Sequence, residues 1–205
     1  MNIADFLIVL VSFFILLPGM QAQENPNYSL TDDSRLWIEG DATLHGWDAE
    51  ATEFEVDFSF PDAWFDTMDN WSGEDVETLK VRVPVSALDG GRSRMNRDLR
   101  EAMKAESYPM ILFHWETIEV KAAQENKAEL NVTGKLEAAG VERDIEFSAD
   151  ASLIAGESFK ISGKAPLKMT DFGIDPPRAL LGTLRTDDDI EILFEMVFEK
   201  EIESD

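Results

Sequence analysis

The sequence predicts an all-β protein, an eight-stranded antiparallel barrel with one or two short helices. Three observations carry this expectation. Apolar and polar residues alternate in eight separate segments, the period of strands with one buried face. Some links between segments are short, such as Ala138-Ala139-Gly140 and Ala155-Gly156-Glu157-Ser158, and short links join antiparallel neighbours. Eight one-faced strands need a common interior, which a closed barrel supplies while removing exposed edges. A two-sheet sandwich fits the same pattern and stays open as the alternative.

In chain order, the inward sets begin with Leu36, Ile38, Gly40, Ala42 and Leu44, followed by Phe54, Val56, Phe58 and Phe60. Leu79 to Val85 comes next, then Ile111, Phe113 and Trp115, then Leu130 to Leu136. Ile145 to Leu153, Phe159 to Met169 and Ile190 to Phe198 close the series. Between Arg92 and Glu106 the period changes. Met95, Leu99, Ala102 and Met103 recur at helical spacing, which predicts an amphipathic helix, and Pro109 prevents its continuation. A second short helix from Asp62 places Trp64, Phe65, Met68 and Trp71 on one face. Both helices read best as lids over a barrel opening, and a surface that touches a membrane or a partner is the alternative for the second.

Composition narrows the function classes. The 205 residues carry 42 acidic and 18 basic side chains, a formal net charge of −24. That balance argues against a nucleic-acid partner, which needs clustered Lys and Arg to neutralise phosphates, and against electrostatic adhesion to anionic lipid. Five of the 18 cations (Arg92, Arg94, Arg97, Arg100, Lys104) nevertheless fall within 13 residues. Their simplest role is pairing with Asp98, Glu101 and Glu106 on the same helix, and contact with an anionic headgroup is the alternative. The absence of cysteine removes disulfides, thiolate catalysis and Cys-ligated zinc together.

Phe6 to Leu17 is a twelve-residue run without charge, short of the roughly 20 residues that span a bilayer. Followed by Pro18-Gly19 and Met20-Gln21-Ala22, it reads as a signal peptide over residues 1–22. An uncleaved anchor is the alternative. The expectation is one exported domain over residues 23–205, periplasmic or secreted, whose mature chain does not span the membrane. Oligomeric state is left open.

Catalytic signatures are lacking. His45 and His114 have no second His or Cys at ligand spacing, so no metal is expected. No nucleophile elbow or phosphate loop occurs. The informative residues are small ones on inward faces: Gly134, Ala149, Ala151, Gly163 and Ala165 fall on three consecutive strands. Phe113, Trp115, Phe147, Phe159, Ile161, Phe194 and Phe198 face inward on the same or other strands. Room on one wall and rings on another suggest an apolar cavity for a ligand, with Phe172 closing one end. The competing reading has a neighbour's side chain filling that room.

Several stretches together resemble the YceI-like family of exported lipocalin-like barrels. Gly40-Asp41-Ala42-Thr43-Leu44-His45-Gly46-Trp47 is similar to its early signature, in the branch with a His-x-Trp motif. Val83-Pro84-Val85-Ser86-Ala87-Leu88 and Met103 to Phe113, with Tyr108-Pro109, resemble the passages into and out of its helix. Val132 to Leu136 and Asp171 to Pro177 resemble later pieces. The resemblance runs from Ser34 to Phe198. It implies a non-catalytic barrel that binds an isoprenoid or other long-chain amphiphilic lipid and needs no cofactor. A ligand-free structural or partner-binding barrel, and an enzyme using an unrecognised polar cluster, are the other classes. Cavity volume separates the three.

Overall fold

The computed structural model describes residues 28–69, 71–154, 158–179 and 184–200. The leader expected over residues 1–22 lies outside them, as does the side chain of Phe65. The strands are β1 (Tyr28–Leu30), β2 (Arg35–Ala42), β3 (Trp47–Ala51), β4 (Glu55–Ser59), β5 (Thr78–Pro84) and β6 (Leu88–Asp89), then β7 (Met110–Gln124), β8 (Lys127–Ala138), β9 (Val141–Ile154), β10 (Ser158–Lys168), β11 (Arg178–Ala179) and β12 (Leu184–Lys200). One helix, α1 (Ser93–Ala102), lies between β6 and β7.

The sheet runs β4-β5-β7-β8-β9-β10-β12-β2-β3-β6, antiparallel at every step, with β1 and β11 added alongside β12. Its two ends meet through the chain itself. β3 and β4 are one strand interrupted at Thr52–Phe54, and β5 and β6 are one strand interrupted by the 3₁₀ turn Val85–Ala87. β4 pairs with β5 while β3 pairs with both β6 and β2. Eight staves therefore ring one interior, as the alternation predicts. Among the described residues no ladder joins β4 to β1, so the wall has a seam at that end.

Some boundaries differ from expectation, each for a physical reason. β3 escapes the alternation pattern because its inward residues are Ala49 and Ala51, both buried but small. β7 continues well past Trp115. Register shifts after Trp115 and after Val120 move the inward parity from Phe113 and Trp115 to Ile118 and Val120. Such bulges are invisible to a strict period of two. No second α-helix forms at Asp62. Asp62–Phe65 and Gly73–Asp75 are short 3₁₀ turns in an otherwise irregular segment. α1 stops at Ala102, and Lys104 takes a left-handed φ of 55° in the turns that follow.

The β8–β9 turn has Ala139 at φ 51° and Gly140 at φ 78°, the mirror-image two-residue turn that suits strand twist. Side chains fill the barrel as two stacked apolar clusters. One gathers Phe60, Trp64, Met68, Trp71, Phe159 and Phe198 at the seam end, and the other gathers Val85, Leu88, Met103, Leu136, Met169 and Phe172 at the α1 end. Outside, cations sit opposite acids across the strands: Arg35 with Glu50, Arg82 with Glu55, Lys164 with Glu191 and Lys168 with Asp189, at 2.6–2.9 Å. On α1, Arg94 and Arg97 both reach Asp98, as the intrahelical reading expects.

The turn Met169–Phe172 is tied to β12 by Asp188, which accepts from the Thr170 backbone N–H at 2.9 Å and from its hydroxyl at 2.7 Å. The hydroxyl bond first, and then the backbone bond, hold the Asp188 carboxyl below its usual range. A lowered carboxylate stabilises the fold above its unfolded pKa and loses that contribution as pH falls through the folded value. Asp188→Asn should therefore lower the melting temperature at neutral pH and have little effect near pH 2. Thermal melts between roughly pH 7 and pH 2 would show the two curves converging.

Candidate functional site

The candidate site is the barrel interior. An almost purely apolar cavity of about 140 Å³ lies between the two clusters, lined by residues such as Val56, Val81, Phe113, Phe147, Ala149 and Phe194. Its position follows from the staves: alternate residues of β2, β4, β5, β7, β8, β9, β10 and β12 all point to it. A space of this size, lined by aliphatic and aromatic groups, stays dry and accepts a benzene-sized guest. Its lining carries no titratable side chain.

Of the residues predicted to line a cavity, Phe113, Phe147, Ala149, Ile161, Phe194 and Phe198 do so. Trp115, Ala151 and Phe159 belong to the seam-end cluster, and Phe172, 3% exposed, packs in the α1-end cluster. Gly134 and Gly163 leave no room of their own. A Cβ on Gly134 would lie 2.5 Å from the His114 carbonyl and 2.7 Å from the Phe113 ring, and one on Gly163 would lie 2.8 Å from both Phe194 and the Ser148 carbonyl. At these two positions the alternative reading holds: neighbours occupy the space. Leu36, Leu79, Ile118, Ile192 and Met196 also line the cavity. The alternation signalled four of them, whereas Ile118 was hidden by the β7 bulge.

Two closures bound the interior. At the seam end, the segment after β4 folds inward. Trp64 stacks on Phe60 with centroids 5.1 Å apart and on Trp71 at 4.0 Å, and Phe60 and Trp71 both meet Phe159 edge-on. Trp64, Met68 and Trp71 are 2%, 0% and 6% exposed, so this segment is a plug within the seam-end cluster. It crosses β7 so closely that a Cβ on Gly73 would lie 1.6 Å from the Ile118 carbonyl. At the other end, Met103 of the α1 exit, Met169, Phe172 and Ile174 close the barrel.

The wall also has a split. β9 pairs with β10 only as far as Ser148 and Lys164. Beyond that, β9 stays with β8 and β10 stays with β12. Pro166, which has no N–H to donate, lies on the diverging edge. Ile145 stands in this split, lining both the inner cavity and a wide outer trough of about 1130 Å³. The trough carries Arg35, Arg143 and Lys168 among nine acids, including Asp41, Glu50, Asp144 and Glu191.

The motif residues prove to be packing and turn elements. His45 is exposed in the β2–β3 turn, its Nδ1 2.7 Å from the Gly46 carbonyl, and a Cβ on Gly40 would lie 2.6 Å from the Trp47 indole. The ring of Tyr108, 43% exposed, covers Gly140, and the Pro109 carbonyl accepts from the Val85 N–H at 2.9 Å. Leu44, 72% exposed, borders a separate groove of about 390 Å³ between the β2–β3 turn and α1, with Arg92, Arg94 and Arg185 around it. Among the described residues no cluster of His, Asp and Glu is placed to hold a metal, and no helix is long and apolar enough to cross a membrane.

With this geometry in hand, comparison with known proteins identifies the family. The model of the YceI-like domain matches residues 47–198, and the chain belongs to the YceI-like family. The fold is similar to that of BcnA from Burkholderia cenocepacia, at 19% identity and TM-score 0.65 over 80% of this chain and 95% of that one. It is also similar to a polyisoprenoid-binding domain from Saccharophagus degradans implicated in plant cell wall breakdown, at 13% identity and TM-score 0.61 over 86% of this chain and 99% of that one. The Campylobacter jejuni YceI protein aligns at 21% identity and TM-score 0.57 over 75% of this chain and 85% of that one. No curated protein matches the chain.

Cavity walls and filled walls respond differently to added volume. Ala149→Leu should project into free space, keep the melting temperature within a few degrees and block an apolar guest. Gly163→Leu should collide with Phe194 and the β9 backbone and cost about 1–3 kcal/mol or more. Melting curves measured beside displacement of a fluorescent apolar probe check both expectations.

Proposed function

We propose that this protein is a non-catalytic binder and carrier of an apolar chain, isoprenoid or fatty, held in the barrel interior and acting in the cell envelope or outside it. The carrying observation is the apolar cavity of about 140 Å³ inside a YceI-like barrel. A structural barrel without a ligand would have that volume filled, and an enzyme would need polar groups there. The similar fold of a polyisoprenoid-binding domain from Saccharophagus degradans supports the same reading. Export rests on the apolar segment Phe6 to Leu17.

Capacity refines the proposal. The cavity takes a short segment or compact group. A long chain needs more, and the plug from Trp64 to Trp71 is what stands in its way. Each methylene removed from water contributes about 0.8 kcal/mol, yet a lipid leaving a bilayer is already dry. Transfer between membrane and barrel is therefore near balance, which suits a reversible carrier. Ile145, at the β9–β10 split, lines both the cavity and the outer trough and is the proposed way in.

Native mass spectrometry of the protein purified gently from its own envelope, followed by organic extraction, tests the reading. A copurified neutral or amphiphilic chain is the expected result. Protein that emerges ligand-free and displaces no apolar probe would overturn it. Gly73→Ala, which cannot keep the plug against the Ile118 carbonyl, should lower the melting temperature and raise the occupancy by chains too long for this cavity. Ile145→Ala should speed probe uptake and release by similar factors and leave Kd changed less than either rate, as stopped-flow fluorescence would show.

A further inference from the structure

The groove of about 390 Å³ between the β2–β3 turn and α1 joins an apolar floor to a cationic rim. Leu88, Met103, Met169 and Ile174 belong to the cluster that closes the barrel at this end, and all four also line the groove as its floor. Met95 and Leu99 of α1 stand on one side and Leu44 of the β2–β3 turn on the other. Leu44 is 72% exposed, a large apolar side chain held at the lip. No residue of this lining also lines the inner cavity, so the two spaces are separate.

The charge of the groove is the reverse of the molecule's. The chain carries 42 acids and 18 cations, and the outer trough carries nine acids and three cations. Around the groove stand three cations, Arg92, Arg94 and Arg185, and one acid, Asp98. Asp98 does not cancel them. It lies 3.7 Å from Arg94 and 3.3 Å from Arg97, so two guanidiniums share one carboxylate. Arg94 stays 76% exposed in that pair, and such surface pairs hold their partners weakly. Arg92 is exposed and enters no ion pair among the described residues. The first turn of α1 carries no acid.

We propose that this groove is a second binding site, for a single-chain amphiphile with an anionic head, a carboxylate above all. The head meets the guanidiniums of Arg92 and Arg94, whose planar donors match a carboxylate. The chain lies along the floor between Leu44 and Leu99. The volume falls within the range of small-molecule sites, roughly 300–1,000 Å³. A bilayer is a poorer occupant, because the apolar floor lies between two walls and a net charge of −24 repels an anionic surface. A cationic amphiphile meets the arginines unfavourably, and a neutral one gains the floor without the head contact. The protein then sorts chains by their heads: anionic ones in the groove, neutral ones in the inner cavity, whose lining has no charge.

Dodecanoate, 1-dodecanol and dodecyltrimethylammonium test this, because they share a chain and differ in the charge of the head. Each is titrated below its micelle concentration and at low ionic strength into the wild-type protein and into Ala149→Leu, whose inner cavity is filled. Dodecanoate should bind both with the same Kd, and the cationic analogue should not compete with it. Arg92→Gln combined with Arg94→Gln should weaken dodecanoate about tenfold and leave 1-dodecanol unchanged in the Ala149→Leu background. In a nitrogen–proton correlation spectrum, dodecanoate should shift the backbone amides of Leu44 and of the first turn of α1. Unchanged dodecanoate affinity after the arginine substitutions, or equal competition by the cationic analogue, overturns the proposal. So does loss of dodecanoate binding in Ala149→Leu, which places the chain in the barrel, and so does binding to phosphatidylglycerol vesicles with none to monomeric dodecanoate. Should Ala149→Leu not fold, the wild-type amide shifts decide: shifts at Leu44 and α1 support the groove, and shifts confined to the inner cavity wall overturn it. A protein that takes dodecanoate in the groove but no apolar probe inside supports this site and sinks the barrel reading, so the two failures are distinguishable.

Discussion

The stacking of Trp64 on Phe60 and Trp71 is the contact on which the interior depends. Among the described residues the ring of staves has no ladder between β1 and β4, so their backbone hydrogen bonding alone leaves the barrel open along that seam. Phe58 and Phe60 meet Phe198 across it, and the aromatic plug packs on these rings. Two stacked pairs and the edge-on contacts to Phe159 each add about 0.5–1.5 kcal/mol beyond the burial of the rings themselves. The same rings subtract volume from the interior. One set of contacts thereby makes the barrel stable, makes it dry and limits what it holds. The close passage of Gly73 over Ile118 belongs to the same device, since it brings the plug back across β7 without a side chain in the way.

Membership of the YceI-like family and the size of the cavity bear on different questions. The family and the fold place an apolar interior in the molecule. Its capacity is set locally, by whether small inward residues face space or face rings. Ala149 and Ala165 face space, whereas Gly134 and Gly163 sit under Phe113 and Phe194. A glycine and its covering ring act as one unit, and substituting either partner alone breaks it. The same holds at Gly40 and Trp47, and at Gly140 and Tyr108, which explains the residues of the early signature and of the helix exit without assigning them a chemical role.

On the exterior, a chain with a formal net charge of −24 uses many of its cations as cross-strand partners. Each exposed pair contributes little, typically 0–1 kcal/mol. Their collective effect is to relieve repulsion among acids on neighbouring strands. The trough over the outer face of β12, β2 and β3 keeps a large acid excess even so, and an anionic headgroup passing the β9–β10 split would meet it unfavourably. The electrostatics of the proposed way in thus agree with those of the interior, where no charge is accommodated.

How much of this was legible in the sequence depends on the range of the interaction. Alternation is a local property, so eight staves, their inward faces and the helix near Met95 could be read from residue order, and Phe113, Phe147, Ile161, Phe194 and Phe198 were placed in the interior on that ground alone. Residue order could not say which strand faces which across the barrel. Whether Gly163 makes a void or a seat for Phe194 depends on a contact between residues 31 positions apart, and Gly134 depends likewise on Phe113. The bulge that turns Ile118 inward, and the kinks that make β3 and β4 one stave, are set by closing the ring. The plug shows the division most plainly. The sequence by itself determined that Trp64, Met68 and Trp71 share an apolar surface. Only the tertiary structure decided that this surface packs inside the barrel, because that outcome requires a seam, two stacked rings and a glycine from distant parts of the chain to meet in one place.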